Sequence, residues 1–333
     1  MKKIKVTMND VAQLAGVSKS TVSHVINDTR FVEEVTRQKV LEVIRQTGYQ
    51  PSLTARSLTT NQTETIGVIL SDITSVFFMD IIRGIEEVIR PRRYSLIVCD
   101  TDENREDEDL YLNLLIRQRV DGIIAAAAHQ KWDVFNLADS MQIPVVFVDR
   151  KFEGMTGPFV GADNAGGAAQ AARLLLECGH TRLGVVSGPT NLSTMEERLT
   201  GFRKQVASQG LTLPGDCIKE VPTRVEEGKA AAMEIISLPD RPTGLFANNY
   251  FHTLGALLAI RELGLRCPEE VALVGFDDHP WASVSDPPLT VIRQPGRQMG
   301  RKAAELLMGL IHGEAEQEGK TVMACELVRR KSC

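Results

Sequence analysis

The chain contains no run of about 18 apolar residues, so no segment reads as a membrane-crossing helix. Its opening, Met-Lys-Lys-Ile-Lys-Val-Thr, is basic but is not followed by the apolar stretch of a secretory signal, and a cytoplasmic location is expected. The six cysteines, Cys99, Cys178, Cys217, Cys267, Cys325 and Cys333, form no Cys-x-x-Cys and have no histidine at metal-ligand spacing. They read as buried or incidental thiols, and neither a metal nor a cofactor is expected. Catalytic signatures are missing too. Asp163-Asn-Ala-Gly-Gly lacks both Gly-x-Gly-x-x-Gly and a terminal Gly-Lys-Ser/Thr, so it is not a nucleotide loop. Asp277, Asp278 and His279 would make an acid/base cluster, but no nucleophile or metal set surrounds them, and no catalytic residue is expected.

What is present begins at residue 7. Thr7 is a candidate N-cap, Val11, Leu14 and Ala15 form an apolar stripe at helical spacing, and Gly16 supplies the positive φ that stops the helix. Ser18 caps a second helix. Its apolar residues Val22, Val25 and Ile26 turn inward, while Lys19, Ser20, Ser23 and His24 face out and are short or basic enough to reach phosphates and base edges. A third helix spans about 36–47, with Val40, Leu41 and Ile44 apolar, and ends at Gly48 ahead of Pro51. Three such helices can close a small core of their own, and the capped pair with its polar outer face predicts a helix-turn-helix reader of duplex DNA. Charge agrees: residues 1–60 carry nine Lys and Arg against five Asp and Glu, the remainder 29 against 38.

After Pro51, the segment Ser-Leu-Thr-Ala-Arg-Ser-Leu-Thr-Thr-Asn-Gln-Thr has helical propensity but is too short to hold a helix alone in water, and it reads as a conditional linker helix. From Glu64 onward, short apolar runs at 65–70, 94–99, 122–126, 144–148, 183–187, 244–247 and 271–275 alternate with amphipathic helical stretches. This alternation predicts parallel sheets wound with helices on both faces. Ligands of such sheets lie beyond the carboxyl ends of the strands. There the chain places Asp72, Asp100, Asp149, Asp163-Asn164, Asn248-Asn249 and Asp277-Asp278, with Arg150 and Arg198 as cationic counterparts. Planar acceptors and forked donors in a cleft suit a polyhydroxylated or nitrogenous small molecule. Any one of these residues could instead only cap the helix that follows it.

The motifs together resemble the LacI/GalR family of bacterial transcriptional regulators, with ribose- and purine-repressor-like features, over nearly the whole length. The resemblance is carried by Asp10-Val-Ala, Gly16-Val-Ser-Lys-Ser-Thr-Val-Ser, Asn27, Gly48-Tyr-Gln-Pro, Ala55-Arg-Ser-Leu, Ile66-Gly-Val-Ile and Phe77-Phe78. It continues through Val120-Asp-Gly-Ile, Cys178-Gly-His-Thr-Arg, Arg198-Leu-Thr-Gly-Phe, Gly275-Phe-Asp-Asp and Pro287-Pro-Leu-Thr-Val-Ile-Arg-Gln-Pro. It implies an α/β protein: an N-terminal three-helix helix-turn-helix domain (1–52), a hinge helix (53–63), and a periplasmic-binding-protein-like core of two doubly wound parallel-sheet subdomains. Their expected bounds are 64–162 plus 293–320 for the first and 163–292 plus 321–333 for the second.

The implied function is a sequence-specific repressor whose operator affinity is set by a small molecule, a sugar or sugar derivative by preference, bound between the subdomains. A corepressor-dependent regulator under purine or partner-protein control, and a sugar-processing enzyme, are the alternatives. The implied partners are palindromic operator DNA, the effector and a second copy of the chain, with dimer or tetramer left open and no membrane. The DNA-contacting residues carried over are Thr7, Ser18, Lys19, Ser20, Thr21, Ser23, His24 and Asn27, with Ala55, Arg56 and Leu58 in the hinge, where Leu58 matches a minor-groove wedge. Lys19 and Ser20 stand where the family reads bases, whereas His24 replaces a common arginine. The effector residues carried over are Asp72, Phe77, Phe78, Asp149, Arg150, Arg198, Asn248 and Asp277. Ser75-Val76, Asn249 and Thr223 depart from the family pattern, and Trp281 offers either a stacking face or a core position.

Overall fold

The computed structural model describes residues 6–28, 30–49, 62–128, 135–152, 154–314 and 319–333. The chain divides into two compact units, Met1–Thr63 and Glu64–Cys333.

In the first unit, α1 (Met8–Ala15), α2 (Lys19–Asn27) and α3 (Glu34–Thr47) enclose a core of Val11, Ala12, Ala15, Val22, Val25 and Val40. Each boundary has a chemical cause. Thr7 and Asp10 form a reciprocal capping box at α1, and Gly16 ends it at φ 67° with its own N–H donating to the carbonyls of Ala12 and Gln13. Ser18 caps α2 through the Thr21 amide, and Gly48 ends α3 at φ 62°. One expectation fails: Leu14 is 65% exposed, and Ala12 takes the inward position instead. On so short a helix the turn that brings α2 and α3 into contact, not the size of the side chain, decides which residues face the core. The hinge residues Ala55, Arg56 and Leu58 lie outside the described residues.

The second unit holds two six-stranded sheets. The first runs β11-β5-β4-β3-β1-β2, from β1 (Thr65–Leu70), β2 (Ser95–Asp100), β3 (Gly122–Ala125), β4 (Val145–Val148), β5 (Phe159–Ala162) and β11 (Lys320–Met323). The second runs β12-β10-β9-β8-β6-β7, from β6 (Leu183–Ser187), β7 (Ile218–Glu220), β8 (Gly244–Ala247), β9 (Ala272–Phe276), β10 (Thr290–Arg293) and β12 (Glu326–Val328). Every pairing is parallel except β10 with β12. Strands such as β1, apolar along its length, are buried on both faces because helices cover both.

Those helices are α4 (Val76–Ile89), α5 (Arg105–Arg117), α6 (Asn136–Ser140) and α11 (Gly296–His312) on the first lobe. On the second they are α7 (Asn164–Glu177), α8 (Ser193–Ser208), α9 (Val225–Ile236) and α10 (Tyr250–Glu262). Helices α4 and α11 pack almost backbone to backbone. A Cβ at Gly84 would lie 2.1 Å from the Arg297 carbonyl oxygen, and one at Gly300 2.0 Å from that of Ile81.

The chain crosses between lobes three times, after β5, after β10 and after β11. The third crossing corrects the expected boundary at 320/321. Residues Lys320–Met323 pair in parallel with Phe159–Ala162 and belong to the first lobe, so the second lobe resumes only at β12. The short edge strands β7, β11 and β12 carry too few apolar residues to announce themselves in the sequence. No described helix is long and apolar enough to cross a membrane.

Candidate functional site

The two units present different kinds of surface. On α2, Lys19 and Ser20 are exposed, while Thr21, Ser23, His24 and Asn27 are half-buried. Ser18 is committed locally: its Oγ lies 2.7 Å from Ser20 Oγ and 2.8 Å from Thr21 Oγ1, and accepts from the Thr21 amide at 3.1 Å. Asn27 Nδ2 donates to Ser23 Oγ at 3.2 Å, one turn back along the same face. Thr7 is held by Asp10, whose carboxyl is kept below its ordinary value by hydrogen bonds from the Thr7 amide and hydroxyl. Ser18, Ser20, Thr21, Ser23 and Asn27 are thus restrained by contacts within α2 and its cap before any ligand arrives.

In the core, the first and second lobes use the same device where each meets the cleft. Asp149 follows β4 and its amide donates to the Val160 carbonyl of β5 at 2.9 Å. Asp277 follows β9 and its amide donates to the Ile292 carbonyl of β10 at 2.8 Å. Both residues adopt positive φ, 66° and 75°. Holding a non-glycine residue there costs about 1 kcal/mol, and such strain concentrates where a side chain must be aimed. Between them stands Arg198 of α8, 3% exposed, its guanidinium 3.7 Å from the Phe276 ring centre. Arg198 Nε donates to Asn164 Oδ1 at 2.8 Å and Nη1 to the Asn248 carbonyl at 2.8 Å, which fixes the plane of the fork.

Around this group lies a cavity lined by Asp72, Phe77, Phe78, Asp149, Arg150, Arg198 and Asp277, along with other residues of both lobes. Seven of the eight residues expected for an effector thus share one lining. Asn248 does not. It is fully buried, donates to Ser187 Oγ at 2.7 Å, accepts from the Gly188 amide at 3.0 Å, and serves Arg198 through its carbonyl. Some strand-end residues proved to be caps, as the sequence allowed: Asp163 accepts from the Gly166 amide and Asn249 from the His252 amide. Asp278 is engaged by Arg293 and Arg330 instead.

Two features of the cavity escaped the sequence. Glu103, in the loop after β2, binds Arg150 through both carboxylate oxygens, and Gln294 at the second crossover donates to Asp277 Oδ1 at 2.7 Å. Glu103 has no local motif, and Gln294 stands in the Pro287–Pro295 motif without any sign there that it meets the cleft; only the topology brings them here. Thr194, Met195, Thr223, Asn249, Tyr250 and Phe251 complete the second lobe's side. Trp281 takes the core position, packed against the apolar cluster of the second lobe.

Several polar atoms of the lining lack a hydrogen bond, although Arg150 Nε stands 3.6 Å from Asp149 Oδ2 in an ion pair. Asp149 Oδ1, Arg150 Nε and Gln294 Oε1 are buried without a hydrogen bond. Burial pushes the Asp149 carboxyl up to about 6, against the pull of Arg150 and Arg198. A buried orphan acceptor costs about 1–3 kcal/mol, so a ligand that supplies hydroxyl or N–H donors to Asp149 Oδ1 and Gln294 Oε1 gains that amount on binding. Among the described residues no cluster of His, Cys, Asp and Glu could hold a metal.

Comparison with known proteins gives the following. A family model described as bacterial regulatory proteins, lacI family, matches residues 7–52, and one described as a periplasmic binding protein-like domain matches residues 172–333. The chain is 36% identical over 327 residues to the HTH-type transcriptional repressor PurR of Photobacterium profundum, covering 98% of each, and 36% identical over 325 residues to that of Vibrio cholerae, covering 97% of each. Among solved structures it is similar to the lac repressor dimer bound to operator and the anti-inducer ONPF (TM-score 0.89, 27% identity, 98% of each chain). It is also similar to the transcriptional regulator CelR–cellobiose complex (TM-score 0.75, 30% identity, 98% of this chain and 100% of that one).

Proposed function

Because the chain belongs to the lacI family of bacterial regulatory proteins, and is thus a DNA-binding transcriptional repressor and not an enzyme, we propose that the cleft around Arg198 takes a carbohydrate whose binding releases the operator. The observation that carries this reading is a pair of acceptors without a hydrogen bond, Asp149 Oδ1 and Gln294 Oε1, on residues that line one cavity with a fixed arginine fork. A polyhydroxylated ring offers a donor to each acceptor and an acceptor to the fork, without bringing a charge into a buried site. CelR, a structural neighbour at 30% identity, holds cellobiose. A purine corepressor is the second reading, for which Phe77 and Phe251 on the lining supply ring faces.

At the other unit, Lys19 and Ser20 read base edges in the major groove, Thr7, Ser18, Ser23 and Asn27 orient α2 against phosphates, and Thr21 and His24 complete the DNA-facing set. Ala55, Arg56 and Leu58 extend the contact into the minor groove. The active species is a dimer on a palindromic operator in the cytoplasm, as the lac repressor neighbour is a dimer on its operator.

The test is a titration of the full chain on a selected operator, with pentoses, hexoses, sugar acids and purines added in turn. Release by one of the sugars is the expected result. Tightening by a purine would reverse both the ligand class and the sign. Binding should also weaken steeply with added salt, since the contacts are mainly to phosphate, and a flat salt response would contradict the DNA-binding surface proposed for α2.

A further inference from the structure

Cys178 and Cys333 lie 155 positions apart in sequence, yet their sulfurs are 3.4 Å apart. Neither backbone is loose. Cys178 closes α7, its amide donating to the Leu174 carbonyl at 2.9 Å. Cys333 follows Ser332, which is fully buried and bound on three sides. Ser332 Oγ donates to the Leu273 carbonyl at 2.6 Å and accepts from the Thr290 amide at 2.8 Å, and the Ser332 carbonyl accepts from the Leu273 amide at 2.8 Å.

Both main chains are held by hydrogen bonds, and the sulfurs stand at 3.4 Å against the roughly 2.05 Å of a disulfide. The surroundings differ between the two sulfurs. Cys178 is exposed and has Arg329 Nη2 at 3.9 Å, whereas Cys333 is half-buried. The remaining thiols are poorer candidates: Cys99, Cys217 and Cys325 are buried, and Cys267 points its Sγ at the Ser332 carbonyl 3.8 Å away.

We infer that Cys178 and Cys333 are an oxidative modification site, a dithiol that a hydroperoxide converts to a disulfide clipping the 330–333 segment to the end of α7. The Cys178 thiolate attacks one peroxide oxygen, an S–O bond forms, the O–O bond breaks, and an alcohol (water, for hydrogen peroxide) leaves. The Cys333 sulfur then attacks Cys178 Sγ, the S–S bond forms, the S–O bond breaks, and water leaves with the proton released by Cys333. Two thiols lose two electrons in all, and the peroxide gains them. Burial and the neighbouring sulfur push the Cys333 thiol up to about 12, which assigns the first attack to the exposed partner.

The clip lies at the end of the second sheet where the interior strands β6 and β9 begin, opposite the strand ends that line the cleft. It therefore ties together one lobe without bridging the two.

The test uses the full chain treated with hydrogen peroxide at low excess. Denatured thiol titration should fall from six to four and return to six with dithiothreitol, and non-reducing peptide mapping should recover a 178–333 crosslink. Cys178→Ser and Cys333→Ser should each lose the reversible two-thiol change. Oxidised wild-type chain should melt several degrees above the reduced form, with no such difference in either variant. A map joining Cys333 to Cys267, a wild-type chain that keeps six thiols, or reversible loss of two thiols in Cys178→Ser would each overturn the assignment. Peptide mapping of the wild-type chain decides the matter even if a variant folds poorly.

Discussion

The DNA-reading unit and the effector cleft solve opposite problems. In the first, the side chains proposed to meet DNA lie outside a minimal core, on α2 and its cap, and most have local neighbours within four residues that hold them: Ser18 with Ser20 and Thr21, Ser23 with Asn27. In the second, the functional groups are buried, and their partners come from far away in sequence: Arg198 with Asn164 and Asn248, Arg150 with Glu103, Asp277 with Gln294. A surface that must meet a polyanion of fixed shape needs restrained donors and little else. A pocket that must discriminate a small molecule needs desolvated partners, and these can be assembled only by tertiary structure.

The contrast can be broken most directly at Arg198. Arg198→Met removes the fork and leaves Asn164 Oδ1 and the Asn248 carbonyl without their donor. A loss of about 2–5 kcal/mol in effector affinity is expected, with operator affinity in the absence of effector changed much less. Calorimetry with the effector identified by titration, beside operator binding of the same variant, measures both. Equal losses at both sites would erase the distinction between the units.

Next comes the reader. Lys19→Ala or Ser20→Ala should cost about 1–3 kcal/mol in discrimination between operator and single-base variants, while binding to random duplex falls much less. A panel of mutated half-sites scores this, and uniform weakening across the panel would move both residues from base readout to phosphate contact.

A smaller effect should appear with pH. The Asp149 carboxyl stands at about 6 when free, raised by burial from an ordinary 3.8. A ligand hydroxyl that donates to it favours the ionised form and lowers that value in the complex. Effector affinity should therefore rise as pH increases from about 5 to 7, by up to about tenfold per unit where the proton is released. Asp149→Asn should flatten the slope. The same raised value works the other way for folding. The native carboxyl keeps its proton between 3.8 and 6 while the unfolded one releases it, so its contribution to stability is complete below 3.8 and is lost as pH rises to 6. An unchanged pH slope in the Asn variant would remove Asp149 from the ligand's partners.

The smallest expected change is Ser18→Ala, which removes the α2 cap and should cost the first unit about 1 kcal/mol, seen as faster amide exchange in α2 of the full chain. Exchange in α8 and α10 should not move.

Much of the architecture could be read directly from the residues. The caps at Thr7 and Ser18, the stops at Gly16 and Gly48 and the buried parallel strands are written in local chemistry, and most strand bounds fell within a residue of those observed. The misreadings share a cause. Leu14 looked like a core residue because periodicity counts apolar side chains and cannot tell which way a two-turn helix will be rolled by its partners. The third crossover was placed early because β11 is a short edge strand whose membership depends on pairing with β5, 158 positions or more away. Asn248 was expected in the lining because it ends a strand, yet β8 is central in its sheet and its side chain is taken by Ser187 and Gly188.

Sequence by itself determined which segments fold and what kind of chemistry each carries: a capped helix pair with a polar outer face, and carboxylates and arginines at strand ends. Helical caps and strand patterns depend on neighbours within a few residues, and one sequence suffices to display them. Tertiary structure alone decided which of those charged groups meet. It set Asp149 opposite Asp277, closed Asn164 and the Asn248 carbonyl on Arg198, left Asp149 Oδ1 and Gln294 Oε1 without a hydrogen bond, and brought Cys178 to Cys333. Burial and convergence belong to the packed molecule, because the free energy of a buried polar atom depends on what else has been brought to it, and that is not a property of any stretch of chain.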